Sequence, residues 1–123
     1  MSNGYYFVTI VANQRQNLLQ GNKTLIEKEL KNLETDTVGL KIDYFVVMPN
    51  HIHVIFILED CGIILGEIIR RFKARVSYRL KQKLWQPNYY EHVIRNEKAL
   101  EKIREYIVNN PEAEILKFNQ FYN

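Results

Sequence analysis

The chain has 123 residues, 46% hydrophobic and 25% charged, with a formal net charge of +3. That length suits one domain with one core, and the balance of apolar and charged residues excludes disorder, a fibrous repeat and a membrane-spanning bundle. Met1-Ser2-Asn3-Gly4 runs into strand-like sequence without a basic and apolar leader, and the single Cys61 cannot close an internal disulfide, so a cytoplasmic protein is expected.

Tyr5 to Ala12 mixes Tyr, Phe, Val, Thr and Ile in the manner of a first strand. Thr24-Leu25-Ile26-Glu27 has the form of a capping box, and Leu25, Ile26, Leu30 and Leu33 follow at helical spacing, which predicts a helix to about Glu34. Asp36 to Gly39 breaks it. Leu40 to Met48 and His51 to Leu58 read as the second and third strands, turned back on each other by Pro49-Asn50 and expected at the centre of the sheet. Beyond Cys61-Gly62, the positions Ile64, Leu65, Ile68, Ile69, Phe72, Val76 and Leu80 recur every three or four residues, the signature of a long amphipathic helix. Trp85-Gln86-Pro87-Asn88 ends that helix, with Trp85 read as a core anchor ahead of a base-stacking platform. Tyr89 to Arg95 forms a fourth strand, and Asn96 caps a last helix whose buried stripe is Leu100, Ile103 and Ile107, stopped by Pro111.

The order βαββαβα predicts a ferredoxin-like α+β sandwich: a four-stranded antiparallel sheet with the helices on one face, residues 1–123 forming a single domain. Phe118, Phe121 and Tyr122 give the residues after Ala113 enough apolar content to dock, without a pattern that assigns them.

Within the third strand stands His51-Ile52-His53. Side chains alternate along a strand, so both imidazoles project to one side and form a rigidly held pair of metal ligands. The same spacing also suits a solvated face or two hydrogen-bonded rings, and two ligands leave a cation short of at least one more. On the last helix Tyr106 and Asn110 are four residues apart and share a face. A phenol can attack phosphorus and an amide oxygen can complete a cation's shell, although a boundary tyrosine and a helix C-terminal asparagine fit the same spacing. Residues 63–95 hold eight Lys/Arg against Glu67 and Glu91 in a chain of total charge +3, so the remainder is acidic on balance. Arg70, Arg71, Lys73, Arg75, Arg79, Lys81, Lys83 and Arg95 suggest either a phosphate-binding face or a solvated helix face. Tyr89 and Tyr90 point to opposite sides of a strand, so at most one can join a site with His92, whose simplest role is in a local hydrogen-bond network.

Together these motifs resemble the HUH single-tyrosine transposases. Val47-Met48-Pro49-Asn50-His51-Ile52-His53-Val54-Ile55 looks like the family's metal-binding strand pair, and Ile68-Ile69-Arg70-Arg71-Phe72-Lys73 looks like its basic helix. The run from Trp85 to Asn96, followed by Tyr106-Ile107-Val108-Asn109-Asn110-Pro111, is similar to the REP-associated branch.

The resemblance implies a ferredoxin-like fold and an enzyme that cuts and rejoins single-stranded DNA near hairpins. It implies Mg²⁺ or Mn²⁺ on His51 and His53, and Tyr106 as the nucleophile of a 5′-phosphotyrosine intermediate. It puts Asn110, one methylene shorter, where many relatives place a glutamine ligand. Arg70, Arg71, Lys73, Arg75, Arg79 and Arg95 would meet DNA, with His92 and Tyr90 as accessory groups. Single-stranded or hairpin DNA is the implied partner, a homodimer and a monomer both being known among relatives, and no membrane is involved. The competing readings are a replication initiator or relaxase of the same HUH chemistry, and a domesticated or truncated relative that binds hairpins without cutting them. A four-stranded RNA-binding sandwich is disfavoured because the central strands lack a glycine-aromatic RNA motif.

Overall fold

A computed structural model describes residues 1–109, which form four strands and three α-helices in the expected order. β1 (Ser2–Val11) leads through two short 3₁₀ turns to α1 (Lys23–Asp36), then the hairpin β2 (Leu40–Val47) and β3 (His51–Cys61), α2 (Leu65–Leu80), β4 (Tyr90–Ile94) and α3 (Glu97–Asn109). The sheet is antiparallel throughout, in the order β2-β3-β1-β4, the arrangement of a ferredoxin-like sandwich. Only half of the β2–β3 hairpin is central, because β1 docks on the far side of β3 and leaves β2 at an edge.

The helices do not share a face, contrary to the sequence-based expectation. Val8, Ile10, Ile52, Val54, Phe56 and Leu58 pack with Ile26, Leu30 and Leu33 of α1 and with Ile68, Ile69, Phe72 and Val76 of α2. The alternate residues Phe7 and Ile55 pack instead with Leu100, Ile103, Tyr106 and Ile107 of α3. The cause lies in β3, where Ile52 to Phe56 are buried at every position and not at every second one. A strand apolar on both faces needs cover on both.

One local expectation also changes. The capping box does not form: 3₁₀ turn Gln20–Asn22 brings the chain into the helix early, so that Thr24 lies inside α1 and no side chain caps it. At the other end, Gly39 turns the chain into β2 at φ +87°, and a Cβ there would stand 2.7 Å from the Glu59 carbonyl oxygen, which makes glycine obligatory. Asn96 does cap α3, accepting from the Ala99 amide at 2.8 Å. Pro111 and the apolar tail lie outside the described residues. Among the described residues, no helix is long and apolar enough to cross a membrane.

Candidate active site

His53 stands opposite Thr9 of β1, and His51 opposite Val11, so both imidazoles lie on the sheet face that α3 covers. Their ring centroids are 4.7 Å apart at 73°, edge toward face. Each ring is held through Nδ1. The His51 ring donates to Asn50 Oδ1 at 2.6 Å, and the Thr9 hydroxyl lies 2.8 Å from His53 Nδ1. An outer hydrogen bond of this kind fixes tautomer and orientation in a ligating imidazole.

Both rings are neutral at physiological pH. Burial, reinforced by the positive charge of Arg15, lowers His51 to about 4, and burial followed by the neighbouring His51 lowers His53 to about 3. A neutral imidazole has the lone pair that a metal requires.

α3 brings Tyr106 to the same place. Its ring lies edge-on to His53 at 5.5 Å and to Phe7 at 6.1 Å between centroids, and the side chain is buried with Ile103 and Ile107. Burial raises the phenol pKa. Asn110, the expected third ligand, lies outside the described residues. Among the described residues, no three of His, Cys, Asp and Glu gather into a metal site. Among the described residues the donor set is therefore two oriented, neutral imidazoles, which suit a divalent cation that takes its other ligands from elsewhere.

β4 adds to this face. Tyr90 stands opposite Thr9, and His92 opposite Phe7, so both project on the side of His53. Tyr89 packs instead with the α1–α2 core and its hydroxyl approaches Gly66 of α2. Trp85 is buried there too, against Phe72 at 5.8 Å.

The basic side chains of α2 lie across the sheet from the histidines. Arg70 and Arg71 are exposed and share Glu67, at 2.7 and 2.9 Å. Arg75 pairs with Asp36, and Arg79 with the buried Glu29. Lys73 is committed to the protein: its Nζ donates to the carbonyls of Gln86, Pro87 and Asn88 at 2.9, 3.3 and 3.1 Å. Arg95 is exposed just beyond β4.

Sequence reasoning missed Thr9, Asn50 and Arg15. Thr9 had a signal, a lone hydroxyl between Val8 and Ile10 in an apolar strand, fully buried in the fold. Asn50 was visible only as a turn residue, and nothing local connects Arg15 with His51.

The family model described as IS200-like transposase matches residues 1–110. A Haemophilus influenzae protein of uncharacterised function is 34% identical over 146 aligned residues, covering 89% of this chain and 81% of the relative. The REP-associated tyrosine transposase of Escherichia coli K12 is 28% identical over 108 residues, which cover 87% of this chain and 65% of that protein. Among solved structures, a REP-associated tyrosine transposase bound to a REP hairpin superposes with a TM-score of 0.79 at 28% identity, over 91% of this chain and 68% of the other. A crystal structure of a Deinococcus radiodurans protein shares the fold, with a TM-score of 0.65 at 20% identity over 89% and 92% of the two chains.

Proposed function

The chain belongs to the IS200-like transposase family, and from that premise we propose that it cuts and rejoins single-stranded DNA beside a hairpin, with Tyr106 as nucleophile. One juxtaposition supports the reading: the Tyr106 ring stands 5.5 Å from that of His53, which stands 4.7 Å from that of His51. A phenol beside two neutral imidazoles puts a nucleophile and two metal-ligating groups on one rigid sheet face. The hairpin as target is proposed from the likeness to the transposase whose solved structure holds a REP hairpin.

In this reading His51, His53 and Asn110 would hold Mg²⁺ or Mn²⁺. When bound, the cation would supply Lewis acidity to offset the charge that grows on the phosphate in the transition state. Tyr106 Oη attacks phosphorus, the phenolic proton passes to a base, the P–O3′ bond breaks and the departing 3′ oxygen takes up a proton. The product is a 5′-phosphotyrosine and a 3′-hydroxyl, and attack by that hydroxyl reverses the step. Because burial raises the Tyr106 pKa, the proton needs an acceptor at the moment of attack. His92 and Tyr90, on the same face, are the accessory groups.

Arg70, Arg71 and Arg95 would meet phosphates, and Arg75 and Arg79 would do so by exchanging Asp36 and Glu29 for phosphate. α2 covers the face opposite Tyr106, so contacts made there hold the hairpin and not the reacting phosphodiester. One chain supplies His51, His53 and Tyr106, which supports a monomer as the working unit, acting on DNA in the cytoplasm.

The test is a panel of labelled single-stranded hairpins incubated with Mg²⁺ or Mn²⁺. Wild-type protein should cleave at least one hairpin that it binds, and Tyr106→Phe should bind that hairpin equally well without cleaving it. Binding without cleavage by the wild type would leave a hairpin-binding protein in place of a nuclease.

A further inference from the structure

The apolar stripe of α3 says where the helix packs but not how it is rotated or how far along its axis it sits. Leu100, Ile103 and Ile107 meet Phe7, Ile55 and Ile94 through contacts with no directionality. At about 3.6 residues per turn, Arg104 and Tyr106 fall on opposite flanks of that stripe. Arg104 faces β2, where its Nε and Nη2 donate to the two oxygens of Asp43 at 2.7 and 2.9 Å. The guanidinium carbon also lies 5.2 Å from the centroid of the Tyr44 ring.

Asp43 and Tyr44 are consecutive, and in a regular strand they would point to opposite faces. They do not, because the β2–β3 register shifts between them and their neighbours. Ile42 pairs with Phe56 and Phe45 with Val54, so Asp43 and Tyr44 together oppose the single residue Ile55. Two residues against one is a β-bulge, a feature that re-aims side chains beside active sites. Here it delivers a carboxylate and an aromatic face to one arginine, opposite Ile55 and two residues along β3 from His53. The ion pair is partly shielded, with side-chain exposures of 31% for Arg104 and 15% for Asp43. A bidentate fork of this kind is specific in direction as well as favourable.

We propose that Arg104, gripped by the bulge residues Asp43 and Tyr44, is a positioning residue that sets the rotation and axial register of α3 and so aims Tyr106 at the phosphodiester. The proposal rests on Tyr106 being the nucleophile. A slip of one residue along the axis moves a side chain by about 1.5 Å, and a misplacement of about 1 Å can lower a rate about 100-fold.

The test uses Arg104→Met, which keeps the aliphatic stem, and Asp43→Asn, which keeps the shape of the acceptor. With a hairpin at saturating concentration, single-turnover formation of the covalent adduct should slow by about 10- to 100-fold in each variant, while hairpin Kd stays within about twofold. The double variant should be no slower than the worse single one, because both remove one clamp. A clamp that merely stabilised the fold would lower the melting temperature and leave the adduct rate of folded protein unchanged, and that result overturns the proposal. A readout independent of chemistry is the set of proton–proton contacts between the Tyr106 and His53 rings, seen by NMR in protein without DNA. These should weaken in both variants while contacts of Ile52 and Phe56 on the other face persist. If wild-type protein forms no adduct, the transposase reading fails on its own account. The ring contacts still decide the clamp, and unchanged contacts in both variants reject it.

Discussion

At the scale of single residues, the site is governed by burial. His51 and His53 sit where charging either ring is costly, with pKa values lowered from 6.5 to about 4 and about 3. The unfolded chain takes up protons on these rings below 6.5 and the folded chain does not, so stability is fully present above 6.5 and drains away as pH falls toward the folded values. Near pH 5 the loss is on the order of 2 kcal/mol per imidazole. Urea unfolding of the wild type should show this drop between neutral and mildly acidic pH, and His51→Gln/His53→Gln should flatten it. An equal drop in both proteins would mean that carboxylates elsewhere control acid stability. Thr9→Val keeps the shape of its side chain and removes the hydroxyl at His53 Nδ1, so it should weaken binding of Mn²⁺ by about 10-fold or more as measured by calorimetry. Affinity equal to wild type would show that this hydroxyl does not orient a ligand.

At the scale of elements, α2 ties one of its cations into the fold and leaves others exposed. Lys73 ties three carbonyls of the segment entering β4, and its own carbonyl accepts from Trp85 Nε1 at 3.2 Å. Burial lowers the Lys73 pKa, in keeping with an ammonium drawn out of water. Lys73→Met should therefore cost about 1.5–3 kcal/mol of folding stability, the value of hydrogen bonds to a charged group. Arg70→Gln/Arg71→Gln should leave stability nearly unchanged, since exposed ion pairs contribute about 0–1 kcal/mol, but should weaken hairpin binding and lower its salt dependence by a slope of about 2. Unfolding midpoints and titrations at several salt concentrations check both. Equal salt slopes for wild type and the double variant would assign these arginines to solvent. α3 is the converse case: its stripe was plain from Leu100, Ile103 and Ile107, yet Arg104 carries the direction, and no local signal in the sequence links it with Asp43 across 61 residues.

At the scale of the whole molecule, the fold is a sheet with two occupied faces, α1 and α2 on one and α3 with the histidines on the other. The element order and the antiparallel pairing were legible because each strand and helix has its own period, and the Pro49-Asn50 turn fixes the hairpin. The face α3 takes is the opposite of the expected one, although the unbroken run Val54-Ile55-Phe56-Ile57-Leu58 already denies β3 a solvent side. His51, His53 and Tyr106 could be singled out from spacing and resemblance. The bulge at Asp43 and Tyr44 could not, because a register shift is a property of two strands and leaves no mark on one.

If Tyr106 takes the phosphoryl group, trypsin separates it from the competing tyrosines. Cleavage after Arg104 and Lys117 yields residues 105–117, in which Tyr106 is the one tyrosine, whereas Tyr89 and Tyr90 fall in residues 84–95. After reaction with a hairpin and Mn²⁺, followed by nuclease and trypsin digestion, mass spectrometry should find the nucleotide remnant on Tyr106 in the first peptide. A remnant on residues 84–95 would contradict the account, as would the absence of any adduct from a hairpin that the protein binds.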